Sequence, residues 1–235
     1  MKIKDNIPNT LTCLNLFSGT IAIVYTFQDN FQLAFYWLIA ALIFDFSDGF
    51  AARWLKVSSP IGKELDSLAD MVSFGVLPGL VIFQLLQKNS ELTNGMVPYV
   101  GFIITVFSGI RLAKFNLDTR QTVHFIGLPT PANTIFIVSL GLVANTDNEI
   151  IRNITLNEIF LIAITLLSSY MLVSEIGLFS LKFKTFSWKE NKVLYIFMCC
   201  VLILFLLFGL YALPLSIIFY VAYSIIFFRS ATVEK

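Results

Sequence analysis

The sequence predicts an all-α, polytopic transmembrane bundle of about eight spans, with both termini on one side. Three observations carry that prediction. Hydrophobic residues make up 57% of the 235 positions and charged residues only 13%, against about 45–50% and about 25% in a soluble domain. The apolar residues gather into runs of bilayer length, about 20 residues each. The cations between the runs alternate strongly from one side to the other. The same numbers exclude a disordered chain, which needs low hydrophobicity and high charge. The three cysteines, Cys13, Cys199 and Cys200, lie in apolar runs and two are adjacent, so no disulfide scaffold is expected. A net charge of +1 offers no basic surface for nucleic acid.

The first span covers about 9–28. Lys2 and Lys4 precede it as they would a signal peptide, but no small-x-small cleavage site follows, so it reads as a retained helix. The second, 31–53, contains LIAALIFDFSDGFAARW, apolar until its last turns. The third, 64–87, opens with acids and then becomes apolar. The fourth, 95–116, ends in Arg111 and Lys114. The fifth, 131–146, is short and follows Pro129-Thr130-Pro131, a helix start. The sixth covers 154–174. The last two, 192–209 and 211–229, meet near Pro214 and are expected as an addition to a catalytic core over 1–182. The loops are too short for a soluble domain, so 1–235 reads as a single membrane domain. With this division, 14 of the 16 Lys and Arg fall on one side and only Lys88 and Arg152 on the other. The positive-inside rule then places both termini in the cytoplasm.

Four of the eight aspartates, Asp45, Asp48, Asp66 and Asp70, fall within 26 residues at the cytoplasmic ends of the second and third spans. Charge at the middle of a span costs about 2.5–3.5 kcal/mol per residue on insertion scales, and an intramembrane acid marks function by default. Asp45, Asp48 and Ala52 share one helix face; Gly62, Asp66 and Asp70 share a face of the next. A short hairpin lets the faces meet. Four carboxylates there would repel in a low dielectric, and two divalent cations balance them. Oxygen ligands suit Mg²⁺ or Mn²⁺, and no His or Cys stands nearby to favour zinc. Gly49 and Ala52 leave room for a ligand against the backbone, and Arg53 offers a forked cation for phosphate. A metal–diphosphate–nucleotide site accounts for all of them; divalent-cation transport accounts only for the acids.

The pattern Asp45-x2-Asp48-Gly49-x2-Ala52-Arg53-x8-Gly62-x3-Asp66-x3-Asp70 resembles the complete signature of the CDP-alcohol phosphatidyltransferases. IPNTLTCLNLFSG at 7–19, RLAKFN at 111–116, FIGLPTPAN at 125–133 and MLVSEIGLFSLK at 171–182 resemble the bacterial, membrane-embedded phosphatidylserine synthases of that family. One departure, Gly177 where relatives more often carry Pro, does not touch the chemistry. The resemblance implies a homodimeric transmembrane enzyme of the bacterial inner membrane with a cytoplasm-facing cavity. It would convert CDP-diacylglycerol and L-serine into phosphatidylserine and CMP. It implies that Asp45, Asp48, Asp66 and Asp70 bind two Mg²⁺ or Mn²⁺ ions and that Asp70 is also the general base. Asp48, Gly49, Ala52 and Gly62 would line the cytidine pocket, and Arg53 would hold the diphosphate. Other alcohols, such as glycerol 3-phosphate or inositol phosphate, are the alternative acceptors.

Beyond the signature, two roles are open to Arg111 and Lys114, with Asn116 beside them: an anion site for the serine carboxylate or a lipid phosphate, or snorkelling cations. Asn9, Thr12 and Asn15 recur on the first span, where they could line the cavity as polar partners or, the reading favoured, hydrogen-bond between helices. His124, the one histidine, reads as a solvated loop residue.

Overall fold

A computed structural model describes residues 3–57, 59–88, 95–117, 125–179 and 188–233. His124, Arg120, Lys182 and Lys184 lie outside the described residues. The chain is helical almost throughout. Helix α1 (Ile3–Phe27) and α2 (Phe31–Leu55) form an antiparallel pair. Asn30 caps α2 by accepting from the Leu33 N–H, and α2 ends at Lys56 in the left-handed region (φ 53°). Pro60 stands in the first turn of α3 (Pro60–Asp70), and the Ser59 hydroxyl accepts from the Gly62 N–H at 3.0 Å.

Directly after Asp70 the helix widens into a π-turn, Met71–Val76, and resumes as α4 (Leu77–Lys88). Helix α4 is the axis of the bundle: Leu77, Val81, Ile82 and Leu85 are fully buried, and α1, α5, α6 and α8 pack around it. A helix apolar on every face is stable there because every face is covered. Gly79 and Gly101 allow the tightest approach, since a Cβ on Gly101 would stand 2.6 Å from the Gly79 carbonyl oxygen. A 3₁₀ turn (Val97–Gly101) leads into α5 (Phe102–Leu117), and α6 covers Thr130–Ala144. Then α7 (Glu149–Thr155) and α8 (Glu158–Val173) meet at a bend of 55°. Strands β1 (Phe125–Ile126) and β2 (Gly177–Leu178) form a two-residue antiparallel pair beside the ends of α5 and α8.

Helices α9 (Trp188–Phe208) and α10 (Ala212–Val233) fold back on each other: Phe197 stacks on Phe219 and the Tyr223 hydroxyl donates to the Val193 carbonyl at 3.4 Å. Leu202, Ile203, Leu206 and Leu207 on α9 are exposed, as befits a surface bathed in lipid. The hairpin docks through Leu128, Phe179, Phe197 and Tyr220, and the Tyr220 hydroxyl donates to the Phe179 carbonyl at 2.9 Å.

The protein is an integral membrane protein of helical class, as expected. The expected count of eight spans is not confirmed. Among the described residues, five stretches are long and apolar enough to cross a bilayer, and six if α7 and α8 form a single broken span. Helix α6 has 15 residues, about 22 Å of rise against about 30 Å of hydrocarbon. The last two expected spans merge by composition into a single apolar run, Asn191–Ile226.

Candidate active site

The acids converge where α1, α2 and α3 meet. Carboxylate oxygens of Asp45, Asp48 and Asp66 lie within 4.8 Å of one another. Asp70, one turn after Asp66, neighbours Asp45 and Asp66 electrostatically but falls outside that closest group. The helix spacings achieve this: positions i and i+3 on α2, and i and i+4 on α3, put each pair on one face.

Helix α1 is the third wall. The Thr12 hydroxyl donates to Asp48 Oδ2 at 2.6 Å, and the Asn15 amide donates to Asp70 Oδ1 at 3.2 Å. The Ser73 hydroxyl, on the π-turn, donates to the Asn15 carbonyl at 3.2 Å. The sequence reading of Thr12 and Asn15 as interhelical hydrogen bonders holds, and their partners are the site acids themselves. The recurrence of polar residues on one face of α1 was the signal for this.

Beside the acids opens a cavity of about 670 Å³, lined among others by Asn9, Thr12, Asp48, Gly49, Ala52 and Gly62. A Cβ on Gly62 would stand 2.7 Å from Asn9 Oδ1, so Gly62 lets α1 close against α3. At Gly49 a Cβ would meet only the Arg53 guanidinium, at 3.5 Å, so no neighbouring backbone demands that glycine. Arg53 itself is exposed and reaches back over Gly49. Lys56 and Lys63 also line this cavity. Sequence reasoning gave them only a topological role, because loop lysines are ordinary in membrane proteins.

The weaker candidates separate. Arg111 is buried, and its NH1 donates to the Ile126 carbonyl at 2.7 Å and the Leu172 carbonyl at 3.2 Å. Lys114 is exposed. Asn116 donates to the Ser67 hydroxyl at 2.8 Å, tying α5 to the helix of Asp66.

The donor set fits divalent metal. Three carboxylates approach one another in a membrane helix pair, and the ion pair of Lys88 with Asp29 is elsewhere. Such a group repels itself unless a cation joins it.

The sequence model of the CDP-alcohol phosphatidyltransferase family matches residues 5–170. The chain belongs to the CDP-alcohol phosphatidyltransferase family. Its relatives include the CDP-diacylglycerol–serine O-phosphatidyltransferase of Helicobacter pylori strain 26695, 34% identical over 221 residues that cover 93% of this chain and 89% of that one. The protein of the same name from Bacillus subtilis is 32% identical, covering 72% of this chain and 88% of its own. That from Methanocaldococcus jannaschii is 32% identical, covering 68% and 69%. The family match contains α1 to α7 and most of α8, and therefore every acid of the site; the α9–α10 hairpin stands outside it.

Proposed function

We propose that this CDP-alcohol phosphatidyltransferase transfers the phosphatidyl group of CDP-diacylglycerol to the hydroxyl of L-serine, releasing CMP. The observation that carries the reading is the meeting of Asp45, Asp48 and Asp66 beside a cavity floored by Gly49 and Gly62. Relatives named for the serine reaction support the choice of acceptor. The active site would face the cytoplasm of a bacterial inner membrane, where soluble serine and CMP exchange while the acyl chains enter from the bilayer, and the enzyme would act as a homodimer.

Asp45, Asp48, Asp66 and Asp70 would hold two Mg²⁺ or Mn²⁺ ions. Bound there, such ions supply positive charge to the phosphate oxygens of the donor as negative charge builds on them. Cytidine would lie against Gly49, Ala52 and Gly62, where the missing side chains leave the backbone accessible. Arg53 would pair with the diphosphate, and Lys56 and Lys63 would add to that field. Arg111, Lys114 and Asn116 would mark the side from which acceptor or lipid phosphate approaches.

A serine hydroxyl is a weak nucleophile until its proton is removed. Asp70 would take that proton on Oδ2, the oxygen that Asn15 does not engage. Asn15, which donates to Asp70 Oδ1, would hold the carboxylate in place during the transfer. The serine oxygen bonds to the phosphorus nearest the lipid as the bond from that phosphorus to the CMP oxygen breaks. Arg53 would stabilise the negative charge that leaves on CMP.

The test is CMP release by purified protein with CDP-diacylglycerol and Mn²⁺ or Mg²⁺. Serine, glycerol 3-phosphate, inositol phosphate and water are offered separately, with Asp70→Asn as control. Release with serine alone, lost in the variant, is the expected result. Release with another alcohol replaces the acceptor and keeps the mechanism. Metal flux with no CMP release by any acceptor would establish transport instead.

A further inference from the structure

Among the described residues, five buried side-chain polar atoms have no hydrogen-bond partner: Asn15 Oδ1, Ser18 Oγ, Ser108 Oγ, and both Oδ1 and Nδ2 of Asn133. They are not scattered. All four residues stand on helices packed against the π-turn Met71–Val76, which begins at the residue after Asp70. Asn15 accepts from Ser73 through its backbone carbonyl, and Ser18 precedes Gly19, where a Cβ would fall 2.1 Å from Ser73 Oγ. The Ser108 Cβ is 3.3 Å from where a Cβ on Gly75 would sit. Asn133 precedes Thr134, whose hydroxyl donates to the Phe74 carbonyl at 2.9 Å. Unpartnered buried amides and hydroxyls are rare because each loses its water without replacement, and π-turns gather at functional sites.

Asn133 is the extreme case. It is fully buried, and its donor and acceptor are both unpartnered. No fold needs that: a leucine of similar size would pack there without the penalty.

We infer that Asn133, supported by Ser108, is the specificity-determining residue that reads the amino-acid part of the acceptor, in a neutral polar pocket around the π-turn next to Asp70. The inference rests on the proposed serine reaction and deepens it. An amide both donates and accepts, so it can take the ammonium on Oδ1 and a carboxylate or hydroxyl oxygen on Nδ2. Arg111 stands one turn from Ser108 on α5, but its NH1 is already shared between two backbone carbonyls. The polar side chains around the turn, Asn15, Ser18, Ser73, Ser108, Asn133 and Thr134, are thus neutral, and Arg111 beside them is engaged. That composition matches a small zwitterion and opposes a phosphorylated alcohol, whose dianion calls for several cations.

The test compares wild type, Asn133→Leu and Ser108→Ala in the same CMP-release assay, with KM measured separately for serine and for CDP-diacylglycerol, and with thermal unfolding alongside. Asn133→Leu is expected to raise KM for serine about 10- to 100-fold, the loss of hydrogen bonds to a charged ligand, and to leave the KM for CDP-diacylglycerol within about 2-fold. Its thermal midpoint should not fall. Ser108→Ala, which keeps the Cβ packed near Gly75, should raise KM for serine about 3- to 10-fold. Should Asn133→Leu fail to fold, Ser108→Ala decides. An active wild type with unchanged KM for serine in the variants overturns this inference alone, and so does a variant that loses stability with its KM for serine intact, the mark of buried water. A wild type that releases no CMP with serine overturns the proposed function and this inference together.

Discussion

Thr12 and Asp48, 36 residues apart, meet at 2.6 Å: the Thr12 hydroxyl donates to Asp48 Oδ2 from α1 across to α2. The same hydroxyl lies 3.0 Å from the Pro8 carbonyl one turn back. A hydroxyl has one proton, so the carboxylate and the carbonyl compete for it, and a charged acceptor takes it more strongly. Thr12 therefore orients a carboxylate of the acidic group from outside that group.

Thr12→Val keeps the shape and removes the donor. Groups that orient a metal ligand typically cost 10- to 100-fold in metal affinity or activity when removed, so about 10-fold weaker Mn²⁺ activation is expected. Thr12→Ser should restore it. The check is CMP release titrated with Mn²⁺; an unchanged midpoint in Thr12→Val would assign the hydroxyl to helix packing alone.

Asp66 should show opposite effects on activity and on stability without metal. Three carboxylates within 4.8 Å repel, and Asp66→Asn relieves part of that repulsion. The variant should unfold at a higher temperature than wild type in chelator, while its CMP release falls at least about 100-fold. Metal should stabilise wild type by about 2.7 kcal/mol at 100 times its Kd and stabilise the variant much less. Thermal scans with and without Mn²⁺ measure this, and an undiminished metal shift in Asp66→Asn would remove that residue from the ligand set.

Two glycines separate folding from binding. At Gly19 a Cβ would fall 2.1 Å from Ser73 Oγ and 2.8 Å from the Ser73 Cα. Backbone must move to admit it, at a cost of about 1–3 kcal/mol, so Gly19→Ala should lower the thermal midpoint. At Gly49 only Arg53 lies within reach, at an ordinary 3.5 Å. Gly49→Ala should fold as wild type and raise the KM for CDP-diacylglycerol about 10-fold. Equal thermal midpoints for the two variants would contradict the packing argument.

The acidic group was readable in the sequence because membrane insertion makes Asp45, Asp48, Asp66 and Asp70 conspicuous and because i+3 and i+4 spacing aligns them. The start of the third helix was not read: Ser59 and Pro60 begin α3 four residues before the apolar run that marked it at 64. What escaped depended on the third dimension. Thr12 and Asn15 could be placed on a face of α1, but nothing in the spacing says which helix that face meets. The π-turn after Asp70 leaves no signature in MVSFGV. The count of eight is not confirmed: among the described residues only five stretches, or six with the bent α7–α8 pair, have the length and apolarity of a span, because α6 is short, as expected, and Asn191–Ile226 reads by composition as one run although α9 and α10 fold back on each other as the two expected helices.

Arg111 is the sharpest case, since its charge suggested an anion site or a snorkelling end and the structure shows a clasp. Its NH1 joins the Ile126 carbonyl in β1 to the Leu172 carbonyl at the end of α8, one of the helix-end carbonyls that lack an intrahelical donor. Gly127, at φ 73°, passes so close that a Cβ would be 3.2 Å from NH1 and 2.8 Å from the carbonyl oxygens of Leu172 and Ser174. The α5–α6 connection and the chain after α8 are thus held together through one guanidinium. Arg111→Met removes the donor from the buried Leu172 carbonyl and from the half-buried Ile126 carbonyl, at about 1–3 kcal/mol for a buried group left unpaired, and should lower the thermal midpoint. Arg111→Lys keeps the charge but loses the planar fork. It should fall between wild type and Arg111→Met in thermal unfolding. A snorkelling cation would tolerate lysine without loss, so a wild-type midpoint for Arg111→Lys would sink the clasp. A reduced midpoint with unchanged KM for serine would show that Arg111 serves the fold of this corner and not the acceptor directly.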